Sequence, residues 1–303
     1  MYHGIINVRK EAGYTSHDVV AKLRGICKQK KIGHTGTLDP DAVGVLPVCL
    51  GNATRVCDLL TDRSKEYVAG LLLGVISDTQ DVSGKILESR EVTVDPAMVE
   101  ETAASFVGDI MQLPPMYSAL KVNGKRLYEL ARAGREVERT PRPVTVYSLR
   151  ILEENHPRYT MQISCSKGTY IRTLCHDIGG RLGCGGVMES LVRTRVGEFT
   201  LENAHTLEEI QSMSEAGRLR EWILPVESVF SEMRSLAVAE KGFKSLQNGN
   251  QLTLVQLKNT DKEFTPEDGE QFRIYSHQNV FFGIYRYEAA KGLLCPVKLF
   301  LTE

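Results

Sequence analysis

GHTGTLDPDAVGVLP, residues 33–47, is the stretch from which we interpret the rest of the chain. It has glycines at positions 33, 36 and 44, and Asp39 immediately precedes Pro40. A residue before proline is restricted to extended backbone, and glycine permits close backbone approach, so the stretch predicts a loop of fixed shape. Taken alone, Asp39 is either a turn residue that accepts backbone hydrogen bonds, which is the commoner role, or a functional carboxylate.

The composition is that of an ordinary globular protein. The chain has 303 residues, of which 42% are hydrophobic and 25% charged, and a net charge of −1. This length suits one large domain, or a large and a small one. No apolar run approaches the roughly 20 residues of a membrane span, and the beginning of the chain lacks the apolar core of a secretory signal. We expect a cytosolic protein that acts as a monomer, with no membrane segment and no obligate protein partner.

The seven cysteines are scattered and show no CxxC spacing. This pattern argues against structural zinc and against a disulfide framework. Cys165, Cys175, His176 and Cys184 are the one conceivable metal cluster, but buried small thiols in a reducing compartment explain these cysteines better.

Basic residues are concentrated in two runs although the total charge is near zero. The first run is Lys22, Arg24, Lys28, Lys30 and Lys31, and the second is Lys121, Lys125, Arg126, Arg132, Arg135, Arg139 and Arg142. Residues 200–233 are acidic instead. Each basic run is either a solvated face or a surface for a polyanion, and the sequence leaves both interpretations open.

Apolar periodicity and capping residues predict the elements of the first half. Residues 16–29 read as a helix capped by Ser16, and residues 65–73 as a mostly buried strand. Asp95-Pro96 opens a second helix, which ends near Gly108. Residues 113–143 match no single element and predict a functional loop, with a turn at Asn123-Gly124 and a short helix from Leu127 to Ala133.

Apolar and polar residues alternate more clearly in the second half of the chain than in the first. Residues 144–152 and 159–166 predict strands, and a helix capped by Thr169 follows them. Thr206 opens another helix with a capping box. From about Arg234 the pattern of predicted elements changes. A short helix ends near Gly249, and brief strand-like runs follow at 251–257, 271–275, 280–288 and 293–300. We therefore predict a large domain over residues 1–232 and a small β-rich domain over residues 233–303.

Two further residues join Asp39 as candidates for a site. Arg172 falls in the first turn of its helix, where the helix dipole disfavours a cation, so it calls for an anionic partner. That partner is either a phosphate or a carboxylate such as Asp39, whose pKa Arg172 would lower. Tyr67 either presents its ring to a flat ligand or is a core tyrosine. The chain has no Walker, GxGxxG, HExxH or GxSxG motif, so we predict neither a cofactor nor a metal.

The ordered blocks of the chain resemble the TruB family of tRNA pseudouridine synthases. The resemblance rests on GHTGTLDPDAVGVLPVCLGNATR (33–55), SKEYVAGLLLGVISDTQDVSGKI, GDIMQLPPMYSALKVNGKRLYELARAG, CSKGTYIRTLCHDIGGRLGCGG and LVRTRVGEFTLENA (191–204). It covers nearly the whole chain. It implies an α+β pseudouridine synthase fold with a mostly antiparallel central sheet flanked by helices. It also implies that residues 113–143 are an RNA-clasping insertion and that the tail is a small PUA-like RNA-binding domain.

The resemblance implies that the protein converts uridine-55 in the T loop of tRNA to pseudouridine without a cofactor. Its catalytic residues would be Asp39, the family's essential carboxylate, with Tyr67 stacked on the target base and Arg172 paired with the carboxylate. The substrate-binding residues that it implies are Lys10, His34, Gly36, Thr37, Lys65, Tyr170 and Leu191.

The chain departs from the family pattern in two places. Arg9-Lys10-Glu11 stands where the family reads Asp-Lys-Pro, which affects the contact expected of Lys10. Val192-Arg193 stands where the family has paired arginines, which would weaken a phosphate contact.

The chemistry fits these residues. The reaction needs a carboxylate, either as a nucleophile or as a base toward the sugar, and a flipped base that aromatic rings can stack on. Three alternatives remain open at this stage: an RNA chaperone without chemistry, a base-releasing glycosidase, and a synthase that acts on another RNA.

Overall fold

The computed structural model describes residues 1–122, 124–258 and 264–300. Most of the strands lie before residue 201: β1 Gly4–Lys10, β2 Ile32–His34, β3 Val43–Leu50, β4 Lys65–Leu73, β5 Val75–Ser77, β6 Ile86–Ser89, β7 Gly108–Gln112, β8 Lys121–Val122, β9 Lys125–Arg126, β10 Arg142–Asn155, β11 Arg158–Cys165, β12 Gly186–Val196 and β13 Phe199–Thr200. The tail adds β14 Ser235–Ala237, β15 Leu252–Thr253, β16 Gln271–Tyr275, β17 Phe281–Glu288 and β18 Leu293–Leu299.

The helices lie between these strands in the chain. They are α1 Ser16–Cys27, α2 Cys57–Thr61, α3 Pro96–Ala104, α4 Leu127–Arg132, α5 Ile171–Arg181, α6 Leu207–Glu215 and α7 Phe243–Gln247. Among the described residues, no helix is long and apolar enough to cross a bilayer.

The main sheet has the strand order β1-β3-β12-β4-β11-β10-β7, with β2 and β13 attached at its sides. Adjacent strands of this sheet run antiparallel, except β3 and β12, which are parallel over a short stretch. Helices pack against this sheet rather than alternating with parallel strands, which confirms the predicted α+β class.

The central strand β4 shows how the sequence builds the main core. Its odd-numbered residues from Lys65 to Leu73 are buried and its even-numbered ones half-buried, as period-two alternation requires. Tyr67, Ala69 and Leu71 pack with the apolar side of α5 in one cluster. A second cluster covers β1 and β3 with α1 and α6. The central strands are thus fixed by cores on either side of them.

Most predicted elements are present with shifted ends. The strand at 65–73 is confirmed, and the helix that begins after Asp95 ends at Ala104 rather than near Gly108. The cap of α1 is Thr15, not Ser16, because Thr15 and Asp18 form a capping box. The hydroxyl of Ser16 instead accepts a hydrogen bond from Leu38 N at 2.9 Å, which ties α1 to the Asp39 stretch.

The segment 113–143, which we call the excursion, contains mainly local structure, although its last two residues pair with β7 and Tyr117 O accepts from Arg172. The strands β8 and β9 pair antiparallel, and Asn123 of the predicted Asn123-Gly124 turn lies outside the described residues. Helix α4 ends at Arg132, one residue short of the prediction.

The tail forms its own five-stranded sheet in the order β14-β16-β17-β18-β15. The strand predicted at 251–257 is mostly wrong, since only Leu252–Thr253 pair and a 3-10 turn follows. This sheet docks on the segment after β3, where Asn52 Nδ2 donates to Phe300 O at 3.0 Å and Arg55 donates to Leu299 O. Six of the seven cysteines are buried and Cys57 is half-buried, as expected for structural thiols.

Candidate active site

The stretch 33–47 forms a strand, a loop and a strand at one end of the main sheet. Residues 32–34 pair antiparallel with residues 48–50, and residues 35–42, which we call the Asp39 loop, connect β2 to β3. Gly44 lies beside β12 so closely that a Cβ on it would stand 2.2 Å from Arg193 O. The glycine is therefore required by the approach of two backbones, and it fixes the base of the loop.

Asp39 lies at the tip of this loop against the guanidinium of Arg172. Arg172 Nε is 3.1 Å from Asp39 Oδ2, and its Nη2 is 3.5 Å from Oδ1. The same guanidinium donates to Thr79 O at 3.1 Å and to Tyr117 O at 2.7 Å. The structure thus brings together the carboxylate and the arginine that the sequence offered as a pair, and it places Arg172 at the junction of three loops.

The helix that carries Arg172 begins differently from the prediction. Tyr170, not Thr169, is the N-cap, and its side chain makes no capping hydrogen bond. Gln112 takes over the cap, since its Oε1 accepts from Tyr170 N at 2.7 Å and its Nε2 donates to Tyr170 O at 2.9 Å. Arg172 remains in the first turn, where its two carbonyl acceptors and the Asp39 carboxylate compensate for the unfavourable dipole.

Two opposing effects act on the pKa of Asp39. Burial raises this pKa and is the larger effect, while the Arg172 guanidinium lowers it. Arg172 thus acts on this pKa in the expected direction, but the net shift is upward because burial outweighs it. The Asp39 side chain is still 41% exposed, so a substrate can reach the carboxylate.

Tyr67 lies on β4 with its ring buried among the residues that flank Asp39. Only 8% of it is exposed, and it packs in the same cluster as Leu38 and Ala42. Burial raises the pKa of its phenol, and the charge of Arg193 lowers it. Leu191 packs against the same cluster from β12. The Tyr67 ring is therefore held in a fixed position next to the Asp39 loop.

Tyr170 and the residues before Asp39 line the surroundings of the carboxylate. Tyr170 is half-buried, and burial raises the pKa of its phenol. The His34 ring meets that of His17 edge-on, with centroids 5.2 Å apart, and burial lowers the pKa of His34 to about 4. His34 is thus neutral near pH 7, and its Nδ1 accepts from Gly36 N at 3.3 Å. Thr37 is exposed.

The structure does not present Lys10 and Lys65 to a substrate. Lys10 is fully buried, and its Nζ donates to Glu11 O at 3.0 Å, Pro40 O at 2.9 Å and Ala42 O at 2.6 Å. These bonds use all three hydrogens of an ammonium group. Lys65 Nζ likewise donates to the carbonyls of Thr61 and Arg63. Burial lowers the pKa of each lysine to about 8. Lys10 therefore holds the Asp39 loop, which corrects its assignment as a substrate contact.

Sequence reasoning missed the roles of two charged side chains. Asp81 Oδ2 lies 3.6 Å from Arg172 Nη1, and its Oδ1 accepts from Thr79 and Ser83 within a tight turn. The acidic turn DTQD could have signalled a second partner for Arg172. Arg193, the one arginine that remains of the family's pair, is only 1% exposed and donates to backbone carbonyls. Among the described residues, no group of three or more His, Cys, Asp or Glu side chains is placed to hold a metal.

The comparisons with known proteins agree along the whole chain. Residues 24–171 match the family model described as TruB family pseudouridylate synthase, N-terminal domain, and residues 172–231 match the tRNA pseudouridylate synthase B C-terminal domain. A tRNA pseudouridine synthase B of Lachnoclostridium phytofermentans is 51% identical, with 99% of this chain and 100% of that protein covered. The protein of that name from Bacillus subtilis is 38% identical, with 100% and 99% covered.

Solved structures give the same result for the fold. A chain in a crystal structure of a Cbf5-Nop10-Gar1 complex superposes with a TM-score of 0.73 at 27% identity, covering 99% of this chain and 85% of that one. A chain of an H/ACA RNP bound to a substrate RNA containing 2'-deoxyuridine gives 0.72 at 26% identity, with 99% and 86% covered. The predicted pseudouridine synthase fold is confirmed.

Proposed function

Since the chain belongs to the TruB family of pseudouridylate synthases, we propose that it isomerises uridine-55 in the T loop of tRNA to pseudouridine with Asp39 as its catalytic carboxylate. The enzyme class follows from the family. The tRNA substrate is supported by the names of the relatives that match over their full length. The position of the uridine and the role of Asp39 are our own assignments.

The observation that carries the proposal is the Asp39–Arg172 pair beside the Tyr67 ring. The carboxylate is accessible, and the guanidinium 3.1 Å away stabilises its charged form against the burial that raises its pKa. In the reaction the bond between N1 of uracil and C1′ breaks, the base turns, C5 bonds to C1′ and loses its proton, and N1 takes up a proton, so the product is an isomer of the substrate. A carboxylate serves this sequence either by attacking C1′ or by removing a sugar proton.

The aromatic surroundings suit a base taken out of its stack. A base within an RNA loop has to be flipped before its sugar carbon is accessible, and an aromatic ring recovers roughly 1–3 kcal/mol of the forfeited stacking per base. Tyr67 packs in one cluster with Leu38 and Ala42, which flank Asp39, and Tyr170 is the N-cap of the helix that carries Arg172. We assign them, with Leu191, His34, Gly36 and Thr37, to the pocket for the flipped nucleotide.

The remaining regions fit the binding of RNA. The excursion carries exposed cations, and RNA loops are recognised by shape and by unstacked bases. We propose that residues 1–232 form the catalytic domain and that residues 233–303, with their own sheet, are the small PUA-like domain that adds binding surface.

The test is tritium release from C5-labelled uridine in an unmodified T-arm stem-loop, with wild type compared with Asp39→Asn. We expect release by wild type without free uracil, and a fall of about 10²–10⁴-fold in the variant. Free uracil would indicate a glycosidase instead. Tight binding of the stem-loop by wild type with no release would indicate a chaperone.

Asp39→Asn should leave folding intact. Because burial raises the pKa of Asp39, its charged form is disfavoured in the folded state, and the neutral amide should unfold at the same or a higher temperature. A lower unfolding temperature would mean that the variant is inactive because its fold is disturbed.

A further inference from the structure

Arg193 is a buried guanidinium without a carboxylate partner in any ion pair of the described residues. It is 1% exposed on β12, Nε donates to Val45 O at 2.7 Å, and Nη2 donates to Gly36 O at 3.3 Å. Tyr67 is directly opposite Arg193 in the register of the sheet, and its phenol interacts with the same guanidinium. Burying a cation without a counter-charge is costly, so neutral acceptors must satisfy its donors. All of these acceptors belong to the candidate active site or its borders.

The groups that contact the guanidinium lie on three separate pieces of chain. Gly36 precedes Asp39 in its loop, and Val45 follows the loop in β3. Tyr67 stands on β4. Arg193 therefore holds the loop on both sides of the catalytic carboxylate and also holds the ring on the neighbouring strand.

The backbone reinforces this arrangement. In the register of the sheet, Arg193 is opposite Tyr67 on one side and opposite Gly44 on the other, so the three residues form one row across β4, β12 and β3. The close contact at Gly44 leaves no room for β3 to shift along this row. The backbone of Arg193 is thus fixed, and the hydrogen bonds of its planar guanidinium fix the loop relative to this backbone and to the ring.

We propose that Arg193 is a positioning residue that sets the placement of the Tyr67 ring relative to the Asp39 carboxylate. The inference rests on the proposed function. Arginine is suited to this role because it offers several donors in a rigid plane and stays protonated. A lysine supplies the charge but cannot reach all three groups in fixed directions.

The experiment compares Arg193→Lys with wild type in single-turnover tritium release at saturating tRNA. We expect the rate of the chemical step to fall about 10²-fold with unchanged tRNA affinity, since a displacement of about 1 Å in a reacting geometry has that effect. Arg195→Lys is the matched control, because Arg195 lies on the same strand and pairs with Glu66 at 3.0 Å. It should retain the wild-type rate.

A double-mutant cycle with Tyr67→Phe separates positioning from general support of the fold. If Arg193 acts through Tyr67, Arg193→Lys should lower the rate much less in the Tyr67→Phe background than in wild type. Equal falls in both backgrounds would overturn the inference, as would a wild-type rate in Arg193→Lys.

Thermal unfolding of Arg193→Lys and of a second variant, Arg193→Gln, accompanies the kinetics. Cooperative unfolding of either variant keeps its kinetic result interpretable. Failure of both to fold would identify Arg193 as a residue needed for folding, and would overturn the inference. Wild type without tritium release would overturn the proposed function and this inference together, whereas an active wild type confines any failure to Arg193.

Discussion

The Asp39 loop and the excursion are both connections in the same domain, but they are held in opposite ways. Carbonyls in and beside the Asp39 loop accept hydrogen bonds from two buried cations of distant strands, Lys10 and Arg193. In the excursion, bonds such as Leu127 N to Leu120 O join residues a few positions apart. The comparison indicates that the geometry around Asp39 is fixed by non-local contacts, while the excursion has the mainly local structure of a region that can adapt.

Arg172 is where the two regions meet. Its guanidinium contacts Asp39 on one side and donates to Tyr117 O of the excursion on the other. It is therefore the residue whose replacement should disturb both.

The largest effect is expected from Arg172→Lys. A lysine cannot donate at once to Asp39, Thr79 O and Tyr117 O, so we expect tritium release to fall by at least about 10²-fold. Because the charge of Arg172 lowers the pKa of Asp39, the neutral variant Arg172→Gln should also move the acidic limb of the pH–rate profile to higher pH. Single-turnover rates between pH 5 and 9 (roughly the range of the relevant ionisations) measure both effects.

An unmoved acidic limb in Arg172→Gln would contradict the electrostatic role of this arginine. Arg158→Lys is the control. Arg158 forms an exposed pair with Glu189, and in the sheet it is opposite Leu72, five residues along β4 from Tyr67. The control variant should change neither the rate nor the profile.

A smaller effect is expected from Lys10→Met, which leaves the carbonyls around the Asp39 loop without their common donor. Unsatisfied buried acceptors cost about 1–3 kcal/mol, so the free energy of unfolding should fall by that amount near pH 7. Urea denaturation measures this change. An unchanged free energy of unfolding would show that Lys10 does not hold the loop.

The pH dependence of Lys10→Met sharpens this test. Burial lowers the pKa of Lys10 to about 8 in the folded state, while the unfolded value is near 10.5. The unfolded state therefore binds more protons between these two pH values, and wild type should gain stability relative to Lys10→Met as the pH rises through this window. The comparison with the variant cancels the similar contribution of Lys65. A constant difference from about pH 8 to 10.5 would contradict the burial of the ammonium.

The smallest effect on the fold is expected in the excursion. Lys121, Lys125 and Arg135 are exposed, and their combined change to Gln should alter the free energy of unfolding by no more than about 0.5 kcal/mol. The slope of log affinity for tRNA against log salt should become shallower by about 0.7–0.9 for each phosphate that the protein no longer neutralises. Binding measured between about 50 and 200 mM salt tests this.

Arg90→Gln is the control for the charge of the excursion. Arg90 pairs with Glu88 at 2.7 Å, outside the excursion, and its replacement should leave the salt slope unchanged. A flat salt dependence for wild type would contradict RNA binding through these cations.

The sequence predicted what periodicity and capping rules determine, and failed where the position of a side chain depends on distant backbone. The alternation of residues 65–73 and 159–166 identified two strands of the main sheet. Thr15 caps α1 through a local capping box with Asp18, which the choice of Ser16 overlooked, whereas the bond from Leu38 N to Ser16 depends on distant backbone. The α+β class, and Asp39 as a carboxylate beside Arg172, could also be predicted from the sequence.

The buried cations could not be predicted in the same way. A lysine or arginine in a strand is most often interpreted as exposed, because burying its charge is costly without partners. The partners of Lys10 and Arg193 are backbone carbonyls, which every residue possesses, so no sequence motif marks them. For the same reason, the net pKa shift of Asp39 required the surrounding structure and not only its partner Arg172.

The hydrogen bonds from Lys10 to backbone oxygens have a consequence for the evolution of the loop. A carbonyl is present whatever side chain a residue carries, so the bonds that Lys10 makes do not depend on the side chains at positions 40 and 42. Pro40 is constrained separately, because it restricts the backbone of Asp39, and Ala42 is constrained by its burial. For the bonds themselves the selective pressure falls on the lysine, which has no substitute with three donors on one nitrogen, so we expect diverging relatives to retain it.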